Sequence, residues 1–186
     1  MTKKYHVFIV LLTTGILLYN FMGNMALQKG AKDFLYIGSK KCSMCHKSAK
    51  QGEQFKIWSE TKHASAFSNL ASDAGKVKAK KLGIADPQKS EKCLSCHTTA
   101  AGKAELWDKG KVITEGVGCE SCHGPGSVYK KMSIMKNREE ALKSGMILGD
   151  KNTCLSCHKK DNPEHSGVFN YEEAWKLIKH PVPEGK

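Results

Sequence analysis

Cys42-Ser43-Met44-Cys45-His46, Cys93-Leu94-Ser95-Cys96-His97, Cys119-Glu120-Ser121-Cys122-His123 and Cys154-Leu155-Ser156-Cys157-His158 are the four stretches that decide the fold. They use all 8 cysteines, and a histidine follows each pair directly. A disulfide framework, zinc knuckles and c-type haem attachment all employ paired cysteines. Only haem attachment needs the histidine at that position. With 8 histidines in the chain, four such adjacencies arise by chance at a frequency of about 10⁻⁶ to 10⁻⁵, so the spacing selects haem. The two thiols of a motif add to the two vinyl groups of one porphyrin, and the next imidazole turns onto the iron.

Working outward, the 186 residues leave room for one ordinary domain and a targeting segment. Lys3 and Lys4 precede an apolar run from Val7 to Leu18 that continues through Phe21 and Met22. A basic start followed by an apolar stretch shorter than about 20 residues reads as an export signal over 1–26. The alternative is an uncleaved N-terminal anchor, because Gly23-Asn24-Met25-Ala26 is not a clean cleavage site. Residues 27–186 then form a tetrahaem domain outside the cytoplasm, periplasmic or held at the inner membrane. Membrane contact follows only if the N-terminal segment is retained.

The expected fold class is mainly α: short helices and long loops wrapped around four covalently attached, closely packed haem c groups. Apolar macrocycles supply the core that the polar remainder of the chain lacks. Removing Lys3 and Lys4 from the formal charge of +12 leaves +10, against about −8 from four pairs of propionates. The lysines therefore read as propionate partners and a docking surface for redox proteins. No motif points to nucleic acid.

His46, His97, His123 and His158 are the proximal ligands on this reading. The sixth ligands come from what remains. His63 lies in a stretch expected to be one helix from Gln54 to Leu70, with Phe55, Trp58, Phe67 and Leu70 as its apolar groups. His180 ends a short amphipathic helix, Tyr171 to Lys179, with Trp175 and Ile178 expected inward, and Pro181 fixes the backbone after it. His165 is the third candidate, and His6 belongs to the signal. A further helical segment is expected over Lys130 to Ser144. Its Met132 and Met135, and the nearby Met146, are core fillers or an alternative iron ligand. Gly124-Pro125-Gly126-Ser127 reads as a tight turn. Three distal histidines for four irons leave at least one iron to methionine, to a neighbouring chain or to a small molecule such as nitric oxide, nitrite or carbon monoxide.

Lys41 to His46, the Trp58…His63-Ala64 stretch and Gly116-Val117-Gly118-Cys119-Glu120-Ser121-Cys122-His123-Gly124-Pro125-Gly126 resemble the tetrahaem cytochrome c-554 family. The resemblance runs from about Tyr36 onward, and the third-motif block is its most specific part. It implies a helical fold around stacked haem pairs, a periplasmic electron carrier, three bis-histidine haems and one high-spin haem at the second motif, held by His97. The family pattern also has a distal histidine between the third and fourth motifs. Residues 124–153 contain none, so His165 takes that role or a second iron is open.

The function expected is electron transfer between redox protein partners in a respiratory chain. It is a carrier with no catalytic residues, any reductase activity being minor and confined to a five-coordinate haem. Two other classes stay open: a membrane-anchored quinol dehydrogenase, and an enzyme or gas-binding protein working at the open iron. Replacing both cysteines of any one motif by alanine is expected to abolish cooperative folding, read as loss of a sharp thermal transition in the purified protein.

Overall fold

The computed structural model describes residues 34–112, 114–159 and 169–181. The N-terminal segment, His6 and His165 lie outside them. The described elements are helical, and the single β feature is an isolated parallel bridge between Tyr36 and Trp107. Ten short helices follow one another: α1 (Ser39–His46), α2 (Gln54–Ser59), α3 (Ala66–Asn69), α4 (Asp73–Lys81), α5 (Glu91–His97), α6 (Cys119–His123), α7 (Met132–Met135), α8 (Arg138–Lys143), α9 (Lys151–Leu155) and α10 (Tyr171–Ile178). The mainly helical, loop-rich fold class expected from the motifs is therefore the one formed. Among the described residues no helix is long and apolar enough to cross a membrane.

Side-chain caps explain where several helices start. Ser72 accepts from Gly75 N at 3.1 Å, and Asn137 from Glu140 N at 3.2 Å. Asp150 and Thr153 form a reciprocal capping box, and Asn170 accepts from Glu172 N and Glu173 N. Each cap satisfies amides that a helix leaves without partners in its first turn.

Two expected helices are each broken in two. The stretch from Gln54 to Leu70 is α2, a turn over 60–65, and α3. Ser59 Oγ and Thr61 Oγ1 donate to Lys56 O and Trp58 O, both at 2.7 Å, competing with the helical ladder. The His63 carbonyl leaves the ladder too, accepting from Val117 N at 2.9 Å. The stretch from Lys130 to Ser144 divides at Asn137, whose side chain caps α8. In α10 the polypeptide leaves Trp175 39% exposed, against the expectation that it points inward. Ile178 is half-buried, and Trp175 stacks on Tyr171 with ring centroids 6.1 Å apart.

The seam that fixes the layout joins the segment before α1 to α6. Glu120, 2% exposed, accepts from Ile37 N (3.1 and 2.9 Å), Gly38 N (2.7 Å) and Gly126 N (2.6 Å). Ser39 N and Ser39 Oγ both donate to Glu115 at 2.7 Å, while Cys119 N donates to Ser39 Oγ at 2.9 Å. Leu35 and Ser127 exchange two further bonds. The tight turn expected over Gly124–Ser127 lies instead over 127–130, where Lys130 N donates to Gly126 O, because Ser127 N is taken by Leu35 O. Gly124 has φ +75°, and a Cβ there would lie 2.4 Å from Gly145 O, so only glycine lets the two backbones approach.

Burial is the largest influence on Glu120 and raises its carboxyl above its ordinary value of 4.5, while the bonds from Gly126, Ile37 and Gly38 partly oppose it. The folded chain then holds this proton more tightly than the unfolded chain. The stabilisation it brings is complete below 4.5 and is lost as pH rises through the folded value. Urea denaturation should show the stability of the native protein, minus that of Glu120→Gln, falling across that window. Glu120→Ala should cost roughly 3 kcal/mol or more by leaving buried amides unsatisfied.

Candidate haem sites

The first three motifs each end their own short helix, so cysteines and histidine project from consecutive turns. The fourth begins in α9 and finishes in the turn after it. In space the motifs pair differently from their order in sequence. Cys42 lies close enough to Cys119 for the two to influence each other, and Cys96 stands in the same relation to Cys157. Burial, followed by the nearby Cys154, Cys119 and Cys157, pushes the Cys122 thiol up to about 11. The resulting order is first, third, fourth, second.

The second and third motifs, neighbours in sequence, also touch, but through a hydroxyl link. Thr99 Oγ1 lies 2.9 Å from Ser121 Oγ and accepts from Gly118 N at 2.9 Å.

Two of the predicted distal histidines lie opposite predicted proximal ones. The rings of His63 and His158 have centroids 6.0 Å apart, and those of His123 and His180 are 5.9 Å apart. Imidazoles on opposite sides of one metal, each bound at about 2 Å, place their centroids about 6 Å apart. Burial is the main cause that lowers His63, His123 and His180, which keeps them in the neutral form that ligates metal. Among the described residues no imidazole faces His46 or His97.

The far side of the rings is also organised. His97 Nδ1 lies 2.8 Å from Ala66 O, and the backbone of Ile147 beside His123 partly opposes the lowering that burial imposes on that ring. The Ala66 carbonyl holds the proton on Nδ1 and leaves Nε2 bare for a metal. Phe169 stacks on His158 with centroids 4.5 Å apart at 14°. Trp58 Nε1 donates to Val117 O at 2.9 Å, tying the turn that carries His63 to the approach of the third motif. Sequence reasoning missed Phe169, Glu120, Glu115, Ser39 and Thr99. The only local signal was a carboxylate inside the third CxxC.

Whether these residues fit haem c can be judged from the polypeptide itself. Buried apolar side chains among the described residues are few: Ile37, Leu70, Ala79, Trp107, Tyr129 and Ala141. Trp107 is 2% exposed and its indole N–H has no acceptor among the described residues, a donor that suits a carboxylate brought in from outside the chain. The eight cysteines are all free. No three His, Cys, Asp or Glu side chains among the described residues converge as a metal-binding group, so the zinc reading has no ligand set here. Facing imidazole pairs, unpaired thiols and a sparse core together match haem c.

The family profile described as cytochrome c554 and c-prime matches residues 41–124, which hold the first three motifs. Cytochrome c-554 of Nitrosomonas europaea is 31% identical over 172 residues, covering 83% of this chain and 66% of that protein. The chain belongs to the cytochrome c554 family. A solved structure of reduced cytochrome c554 from the same organism aligns over 77% of each chain, with 27% identity and a TM-score of 0.49. The chain spans just under two thirds of the full length of that cytochrome c-554, and as a family member it is a multihaem c-type cytochrome with four covalently bound haem c groups. When bound, haem c supplies reversible one-electron chemistry at iron.

In this cytochrome c554 family chain the turn carrying His63 depends on Gly116, which has φ +82° and where a Cβ would lie 2.4 Å from His63 O and 2.7 Å from Ala64 O. Gly116→Ala should lower stability by roughly 1–3 kcal/mol. The denaturation midpoint of the purified protein measures this.

Proposed function

We propose that this chain is an exported, periplasmic tetrahaem carrier that passes electrons between redox protein partners. The observation that carries the reading is the contact order of the attachment cysteines. Cys42 lies near Cys119, Cys122 near Cys154 and Cys157, and Cys157 near Cys96. Cofactors tethered to these thiols form one continuous series, which is what a wire needs. Cys42, Cys45, Cys93, Cys96, Cys119, Cys122, Cys154 and Cys157 are the attachment residues, and His46, His97, His123 and His158 the proximal ligands. His63 completes the site of His158, and His180 that of His123. Lys3, Lys4 and the apolar run after them support export.

A second reading is favoured by one feature. His46 and His97 have no facing imidazole among the described residues, and the chain holds a single further candidate, His165. One of those irons at least is without a histidine on its distal side and open to a small molecule such as nitric oxide.

Low-temperature electron paramagnetic resonance of the fully ferric protein counts the irons of each kind. Two or three low-spin signals are expected, with at least one high-spin iron that binds nitric oxide once reduced. His63→Ala should convert one low-spin signal to high-spin. Four low-spin irons unaffected by nitric oxide would remove the second reading and leave the wire. Haem staining of cell fractions tests export: the mature chain is expected in the periplasm without residues 1–26. A full-length chain in membranes that is reduced by quinol would instead favour the quinol dehydrogenase.

A further inference from the structure

The outer nitrogens of two proximal histidines meet different kinds of partner. His97 bonds to a main-chain group, the carbonyl of Ala66. His46 bonds to a side chain, with Nδ1 at 3.4 Å from Gln54 Oε1. The other end of that amide is equally committed. Gln54 Nε2 donates to Gln51 O and to Pro181 O, the latter at 2.9 Å.

These contacts fix the amide's orientation. Its nitrogen has two protons and meets two carbonyl oxygens, which only accept. Flipping the amide would set oxygen against both carbonyls. Oε1 therefore faces His46 and can only accept, so the His46 proton sits on Nδ1 and the Nε2 lone pair is free for iron. Gly52 keeps the space: at φ +94°, a Cβ there would lie 2.8 Å from both Gln54 Nε2 and Pro181 O. Pro181 directly follows His180, whose ring faces His123. One side chain thus connects the outer face of the first motif's imidazole to the segment that presents the distal imidazole of the third.

We propose that Gln54 is a positioning residue for two haem sites at once, setting the donor strength of His46 through its carbonyl oxygen and anchoring the His180 segment through its amide nitrogen. The inference rests on the reading of His46, His123 and His180 as iron ligands. An acceptor on the outer nitrogen makes an imidazole a stronger donor, which favours ferric over ferrous iron. The first and third sites, already adjacent through Cys42 and Cys119, then share a polar link whose strength depends on one replaceable residue. A main-chain carbonyl does not offer that.

The test is a potentiometric titration of the four-haem protein with parallel electron paramagnetic resonance, on the native chain, Gln54→Leu and Gln54→Glu. Haem content is measured first by the pyridine haemochrome method, and a native chain with fewer than four haems overturns the underlying reading independently of Gln54. In Gln54→Leu, one midpoint should rise by up to a tenfold change in its reduction equilibrium, about 59 mV for a one-electron couple. The low-spin signal of the His123 and His180 iron should shift as its anchor is lost. Gln54→Glu separates tuning from mere packing. A protonated carboxyl can still donate to Pro181 O and accept from His46, whereas the ionised form makes the imidazole a stronger donor. The same midpoint should therefore fall below the native value as pH rises through that carboxyl's titration, a step absent from the native profile. If Gln54→Leu does not assemble, Gln54→Met is read in its place, since it removes the same bonds while keeping the chain length. Unchanged midpoints and signals in a four-haem variant overturn the proposal, as does movement of the midpoint in the same direction by Leu and by ionised Glu.

Discussion

The carboxylate of Glu120 is the interaction on which the arrangement of the sites depends. A buried carboxylate is costly unless donors surround it, and here they come from two places distant in sequence: Ile37 and Gly38 before the first motif, and Gly126 after the third. The cost of leaving any of these groups unsatisfied holds two motifs distant in sequence in one register. Ser39 and Glu115 repeat the device beside it, so the segments carrying Cys42 and Cys119 are brought together by side-chain oxygens accepting from backbone amides and a hydroxyl rather than by an apolar core.

That division of labour suits a chain whose own apolar core is so small. Helices of four to nine residues bury little surface and gain little from propensity alone. They are held by caps, by tight glycine turns and by bonds between loops. The large apolar volume is left to covalent haem c. The same economy explains why the segments carrying His63 and His180 are turns rather than long helices. The carbonyl of His63 reaches Val117, and His180 sits beyond α10, next to the Pro181 carbonyl held by Gln54.

The proximal histidines show how outer partners distinguish sites that are alike in sequence. The main-chain carbonyl of Ala66 beside His97 is fixed by the fold and unaffected by mutation of any one side chain. Gln54 is different, because its amide divides its bonds between two sites. Phe169 stacked on His158 adds a third kind of partner, an apolar one that limits ring rotation. Sites with the same CxxCH spacing therefore differ in donor strength and freedom.

The sequence by itself determined the cofactor, its number and the mainly helical class, because CxxCH is a local constraint: thiols and imidazole act on one porphyrin within five residues. It also named His63 and His180, from the scarcity of histidine and the position of Pro181. It misjudged helix lengths at 54–70 and 130–144, since there the competing partners were the hydroxyls of Ser59 and Thr61, the Asn137 cap and the distant Val117. Which motif neighbours which was decided only by the tertiary structure. Cys96 lies near Cys157 across 61 positions, while the second and third motifs, adjacent in sequence, are linked through Thr99, just after the second, and Ser121. So, too, was the role of Gln54. Contacts of this kind depend on how buried carboxylates and amides find their donors once the chain has folded back on itself, and no spacing along the chain encodes that.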